Sequence, residues 1–245
     1  MRRLLFLILI ALAATTSTAQ ARPASDGTPL TARQADRLAR ALYTDYLEGG
    51  ARLRVSLPAR TGAPRVLAGR IDWHTHLARA SLTHPGAPGE LPRTLLWSPS
   101  AVLETGVPGL RLAAATTSHP QARYVASPLN PSAAGLDSVL ALLNGLAATK
   151  PENALLLQQG KARYLGIGTI AGKRFERYRS GSLTLWLASD GTIRHVSAFV
   201  NSYASPVGID LLEHARQAIG VPAKASVVAI TAVPALKGQL ARTLR

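Results

Sequence analysis

The chain has 245 residues, 47% hydrophobic and 17% charged, with no cysteine and a net charge of +15. That length allows one large domain or two small ones, and the apolar share argues against wholesale disorder. The missing cysteine excludes disulfides, thiolate metal sites, cysteine nucleophiles and a lipid anchored at a bacterial lipobox. Of the 28 basic residues, 23 are arginine, and no basic run is longer than two. Dispersed arginine in an alanine-rich chain points to composition and a positive surface, and away from nucleic acid as a partner.

Met1-Arg2-Arg3 is a short positive start, and Leu4 to Ala14 is an uninterrupted apolar run. Ala19-Gln20-Ala21 then matches a small-x-small cleavage pattern, so residues 1–21 read as a secretory signal peptide cleaved after Ala21. The apolar run is too short to cross a bilayer, which takes about 20 residues. The predicted location is extracytoplasmic, secreted or held at the cell envelope.

Arg22–Leu30 is a Pro/Gly/Ser/Asp linker. Thr31-x-x-Gln34 matches a capping box, and Ala35, Leu38, Leu42 and Tyr46 recur at helical spacing up to Gly49-Gly50. An amphipathic helix is predicted over Thr31–Glu48. The period then changes. Arg52–Leu57 alternates arginine with Leu53, Val55 and Leu57, as a half-buried strand does. Val66–Leu82 reads as one long bent strand or two short ones. Thr94–Trp97 and Ala101–Glu104 read as a hairpin about Ser98-Pro99-Ser100. Thr105–Gln121 is irregular, and Arg123–Ala126 is one more short strand.

A second helix is predicted over Ser132–Ala148, with Leu136, Val139, Leu140, Leu143 and Leu146 on one side. A short third helix covers Glu152–Gln159. Hairpins follow at Ala162–Ile170 with Arg174–Arg179, and at Ser182–Ala188 with Thr192–Val200, the second turning at Ser189-Asp190-Gly191. Ile209–Ile219 reads as a helix ending at Gly220, Ala223–Ile230 as a last strand, and 231–245 as a basic tail. Strands that follow one another without intervening helices favour antiparallel pairing. The predicted class is α+β with a large antiparallel sheet, in a single domain over residues 31–230.

Gly69-Arg70-Ile71-Asp72-Trp73-His74-Thr75-His76 resembles the Asp-x-His-x-His strand of metal-dependent amidohydrolases. On a strand, His74 and His76 would share a face and could hold one ion with Asp72. The rest of the chain lacks the alternating strands and helices of that family's barrel, so the metal-dependent hydrolase stands as the alternative activity. The glycines of Gly166-x-Gly168-x-x-x-Gly172 lack the spacing and the lysine of a phosphate loop. Lys161, Arg163, Lys173, Arg174, Arg177 and Arg179 form the densest basic region. On neighbouring strands they would make a stripe for anionic lipid headgroups or anionic wall polymer.

The order of elements, with Gly69–Trp73, Asn130-Pro131 before a leucine-rich helix, Tyr164–Gly168 and Trp186-x-x-x-Asp190-Gly191-x-x-Arg194, resembles the LolA-like superfamily. The likeness is to the actinobacterial LppX/LprG-type lipoproteins, whose lipid-anchored cysteine is missing here. The resemblance implies a half-barrel: a curved antiparallel sheet with helices on its concave side and an apolar cavity that carries lipid. It therefore implies a non-enzymatic, monomeric carrier of lipid or another apolar molecule, without cofactor or metal and with an anionic membrane surface as a further partner. Trp73, Leu77, Trp97, Tyr164, Trp186 and Phe199 are the large strand side chains that would line such a cavity, and they would equally pack a filled interface.

Overall fold

The computed structural model describes residues 27–59, 62–87, 89–133 and 135–243. The signal-peptide reading and most of the linker lie outside them. Strand β1 is Thr28–Pro29, and helix α1 is Ala32–Glu48. The capping box forms as its spacing requires: Gln34 N donates to Thr31 Oγ1 at 3.3 Å, and Thr31 N donates to Gln34 Oε1 at 2.9 Å. Gly49 ends the helix at φ 85°, a left-handed conformation that glycine adopts without a Cβ penalty.

A meander follows: β2 (Gly50–Leu57), β3 (Arg65–Asp72), β4 (Leu77–Thr83), β5 (Arg93–Trp97) and β6 (Ala101–Glu104). Short helix α2 (Leu110–Ala114) leads to β7 (Tyr124–Pro128). Helices α3 (Gly135–Asn144) and α4 (Ala154–Gln159) come next. The second β block is β8 (Arg163–Ile170), β9 (Lys173–Ser180), β10 (Leu183–Leu187), β11 (Ile193–Ala198) and β12 (Val207–His214), and β13 is Val227–Ala229.

All thirteen strands belong to one open, curved sheet in the order β1-β8-β9-β10-β11-β12-β2-β3-β4-β5-β6-β7-β13. Every neighbouring pair is antiparallel except β7 and β13. β12 joins the two blocks, pairing with β11 on one side and β2 on the other. This corrects the helix predicted over Ile209–Ile219. Val207, Ile209 and Leu211 alternate into the core, and a register shift after Leu211 exposes Leu212, which gave the segment its false helical spacing. Both flanking strands also need a hydrogen-bonding partner, and a helix cannot supply one.

One face of the sheet is apolar. Leu53 and Val55, Leu67 and Ile71, Leu185 and Leu187, and Val196 and Ile209 are buried beneath α1 and α3. The helices bring Leu38 and Ala41 from α1, and Val139, Leu140 and Leu143 from α3. A smaller cluster joins α2, β7 and β13 to the C-terminal segment through Leu110, Val125, Val228, Leu236 and Leu240. Ile230, expected to end the last strand, and residues 231–243, expected as part of a basic tail, form short 3-10 turns that close this cluster. Glu104 accepts from Ala241 N at 2.9 Å and from Arg93 at 2.7 Å, both side chains being buried. Arg242 reaches Asp137 of α3 at 2.9 Å.

Candidate functional site

Strand alternation decides what each predicted lining residue can do. Trp73 and Trp97 lie inside and are fully buried. Trp73 sits in the β3–β4 turn and donates from Nε1 to the Leu143 carbonyl at 3.2 Å, tying that turn to the end of α3. With Tyr178 they fill the interior they were expected to line. Tyr164 is partly buried against the main core, its ring 5.4 Å from that of Tyr178. Trp186 and Leu77 belong to the other face, since Leu185, Leu187 and Ala78 take the inward positions. Trp186 covers Gly168, where an added Cβ would come within 2.4 Å of the ring. The Arg177 guanidinium lies 5.3 Å from the Trp186 ring centre, and the His195 ring meets it edge-on at 5.8 Å. Phe199 follows directly after β11 and is 67% exposed.

That phenylalanine marks the place where the apolar interior reaches the surface. An open groove of about 420 Å³ runs between α3 and the ends of β10 and β11. Leu142 from α3, Leu183, Ala198 and Val200 give it apolar lining, and Ser132, Ser138 and Ser182 line it with hydroxyls. Leu142, Leu183 and Val200 also pack on the main core, so the groove opens onto the seam between helix and sheet. None of these groove leucines carries a sequence signal of function, because each reads as ordinary core.

The metal reading fails on backbone shape. Residues 73–76 form a turn between β3 and β4 and do not continue the strand. Asp72 Oδ1 accepts from Thr75 N at 2.9 Å, so the carboxylate caps that turn. His74 Nε2 lies 2.9 Å from the Tyr46 carbonyl, and exposed His76 has φ 54°. Among the described residues, no three His, Asp or Glu side chains come together to hold a metal.

The predicted basic stripe divides. Arg163 and Arg179 stand opposite each other on β8 and β9, near Lys161. Lys173 and Arg174 lie at the far end of that hairpin, and Arg177 is engaged with Trp186 and the Leu165 carbonyl. A denser group lies on the outer face of the meander: Arg52, Arg54, Arg70 and Arg79. The Arg-x-Arg alternation at 52 and 54 was its sequence signal, but the alignment with Arg70 and Arg79 needed the register.

A buried polar pair also escaped sequence reasoning. Asp45 of α1 is fully buried and accepts from Ile193 N at 3.1 Å. His214 Nε2 of β12 lies 3.3 Å from Asp45 Oδ1, at an angle outside hydrogen-bond geometry. Burial pushes the Asp45 carboxyl up to about 6, and contacts with His214 and Ile193 N act against it.

No family model matches the chain, and no curated protein matches it. Among solved structures it is similar to an uncharacterized conserved protein from Thermus thermophilus, at 13% identity and TM-score 0.36, covering 74% of this chain and 88% of that one. It is also similar to a LolA superfamily protein from Nitrosomonas europaea, at 10% identity and TM-score 0.31, covering 78% of this chain and 96% of that one.

Proposed function

We propose that the protein is an exported, non-enzymatic carrier that shields the acyl chains of a lipid, or a similar apolar molecule, from water at the cell envelope. The sheet would be a LolA-like half-barrel with α1 and α3 on its concave side, and the carrier would be a monomer. One observation carries this reading: the apolar seam between α3 and the sheet opens in a groove walled by Leu142, Leu183 and Val200 beside exposed Phe199. The interior behind the seam is filled by tryptophan, tyrosine and leucine side chains. A guest would therefore enter by parting α3 from the sheet and replacing protein–protein contacts with its own. Each apolar Å² of guest removed from water contributes about 25 cal/mol.

The test is native mass spectrometry of the full chain, gently purified and then incubated with a phospholipid. Bound lipid is expected, with a clear loss on Phe199→Asp, which puts a charge at the mouth. A protein that emerges lipid-free and takes up no lipid would refute the reading.

A further inference from the structure

The outer face of the sheet carries a second depression, of about 560 Å³. Arg52 on β2, Arg70 on β3 and Arg79 on β4 stand directly opposite one another. Arg54, two residues along β2, borders the same depression. The side chains in register with Arg54 are small: Ala68, Ser81 and Thr94. The guanidinium row therefore edges a recess and not a flat strand face.

Among the described residues, the acid paired with this group is Glu213, 3.5 Å from Arg52, and both side chains are well exposed. Asp210, opposite Arg54 on β12, is engaged at 2.7 Å by His195. Like charges directly opposite on adjacent strands destabilise a sheet. Three arginines in one row are thus a standing strain that an anion would relieve. Guanidinium forks suit phosphate oxygens in particular. At the edge of the recess the bulge in β12 exposes Leu212. A soluble polyanion would leave that leucine in water, whereas a membrane offers phosphate beside an apolar phase.

We propose that this groove docks the protein on a membrane surface by binding the phosphate headgroups of anionic lipids. Arg52, Arg54, Arg70 and Arg79 hold the headgroups, and Leu212 meets the acyl boundary. The inference rests on export to the envelope and is separate from lipid carriage, because the groove lies on the face of the sheet opposite α3.

The experiment is co-sedimentation of the full chain with vesicles, either phosphatidylcholine alone or phosphatidylcholine mixed with phosphatidylglycerol. Binding is expected only to the mixed vesicles. A basic residue at a membrane surface contributes about fivefold, so Arg54→Gln/Arg70→Gln/Arg79→Gln together should weaken binding roughly a hundredfold. Thermal stability of that variant should hold or rise, since repulsion is removed. Should it unfold, Arg70→Gln alone carries the test at about fivefold. Lys173→Gln/Arg174→Gln, far from the groove, should change binding by less than about twofold. Unchanged binding of the groove variants overturns the proposal, as does an equal loss in the distant variant. Attachment to polyphosphate without attachment to vesicles overturns it in favour of a polymer, and binding of inorganic phosphate alone reduces the groove to a soluble-anion site. Lipid uptake in the native mass spectra is a separate readout, so either idea can fail without the other.

Discussion

Trp73 and Trp97 are both fully buried, yet they should respond unequally to replacement by phenylalanine. Trp73 Nε1 donates to the Leu143 carbonyl at 3.2 Å, whereas Trp97 Nε1 is buried without a partner. Trp73→Phe loses a hydrogen bond, about 0.5–1.5 kcal/mol net, although the Leu143 carbonyl keeps its bond from Leu146 N at 3.3 Å. It also loses ring packing, so a total of about 2 kcal/mol is expected. Trp97→Phe loses similar packing but removes a buried unsatisfied donor, a penalty of about 1–3 kcal/mol, so its net change should be near zero. The difference between the two variants should therefore be about 2 kcal/mol. Urea unfolding followed by circular dichroism measures it as a shift in midpoint at constant slope. Because Trp73 ties the β3–β4 turn to α3, Trp73→Phe should also loosen the proposed entrance and raise the fluorescence of an apolar dye. Equal midpoints for the two variants, or Trp97→Phe as the weaker one, would refute the accounting.

Three further outcomes are expected. The folded-state carboxyl of Asp45 is raised from 3.8 to about 6, so its contribution to stability is fully present below the lower value and lost as pH rises through the upper one. That amounts to about 3 kcal/mol, and Asp45→Asn should remove this slope in urea midpoints taken from acid to neutral pH; parallel curves would count against it. Arg242→Ala leaves the buried Asp137 carboxylate without its counter-charge, which should cost about 3 kcal/mol in thermal unfolding, while Asp137→Asn in the same chain should restore part of it. Gly168→Ala drives a methyl into the Trp186 ring and should cost about 1–3 kcal/mol with a shift in tryptophan emission; an unshifted spectrum would mean that the ring does not rest there.

The legible parts of the fold were those set by neighbours in the chain. Thr31 and Gln34 cap α1 where the motif placed them, and the Ser189–Gly191 turn closes the hairpin expected of it. The site was less legible, because aromatic character does not say which face a strand residue takes. Trp186 has the size and apolar surface of an interior residue, but Leu185 and Leu187 on either side of it hold that face. Asp72, His74 and His76 kept a strand-like spacing across what is a turn, so the apparent ligand set dissolves once the Asp72 carboxylate is seen to cap Thr75.

The sequence by itself determined α1, the meander of strands after it, the two hairpins of the second β block, and the alternation that makes one face apolar and the other rich in arginine. These depend on contacts between residues close in sequence, which the pattern of side chains encodes directly. Only the tertiary structure decided that residues 207–214 are a strand, that 230–243 close a second cluster, and that Arg52, Arg70 and Arg79 stand in one row. Each of these depends on register or on a partner far along the chain. The β12 segment is extended because β11 and β2 both offer it hydrogen bonds, a demand that local periodicity does not contain.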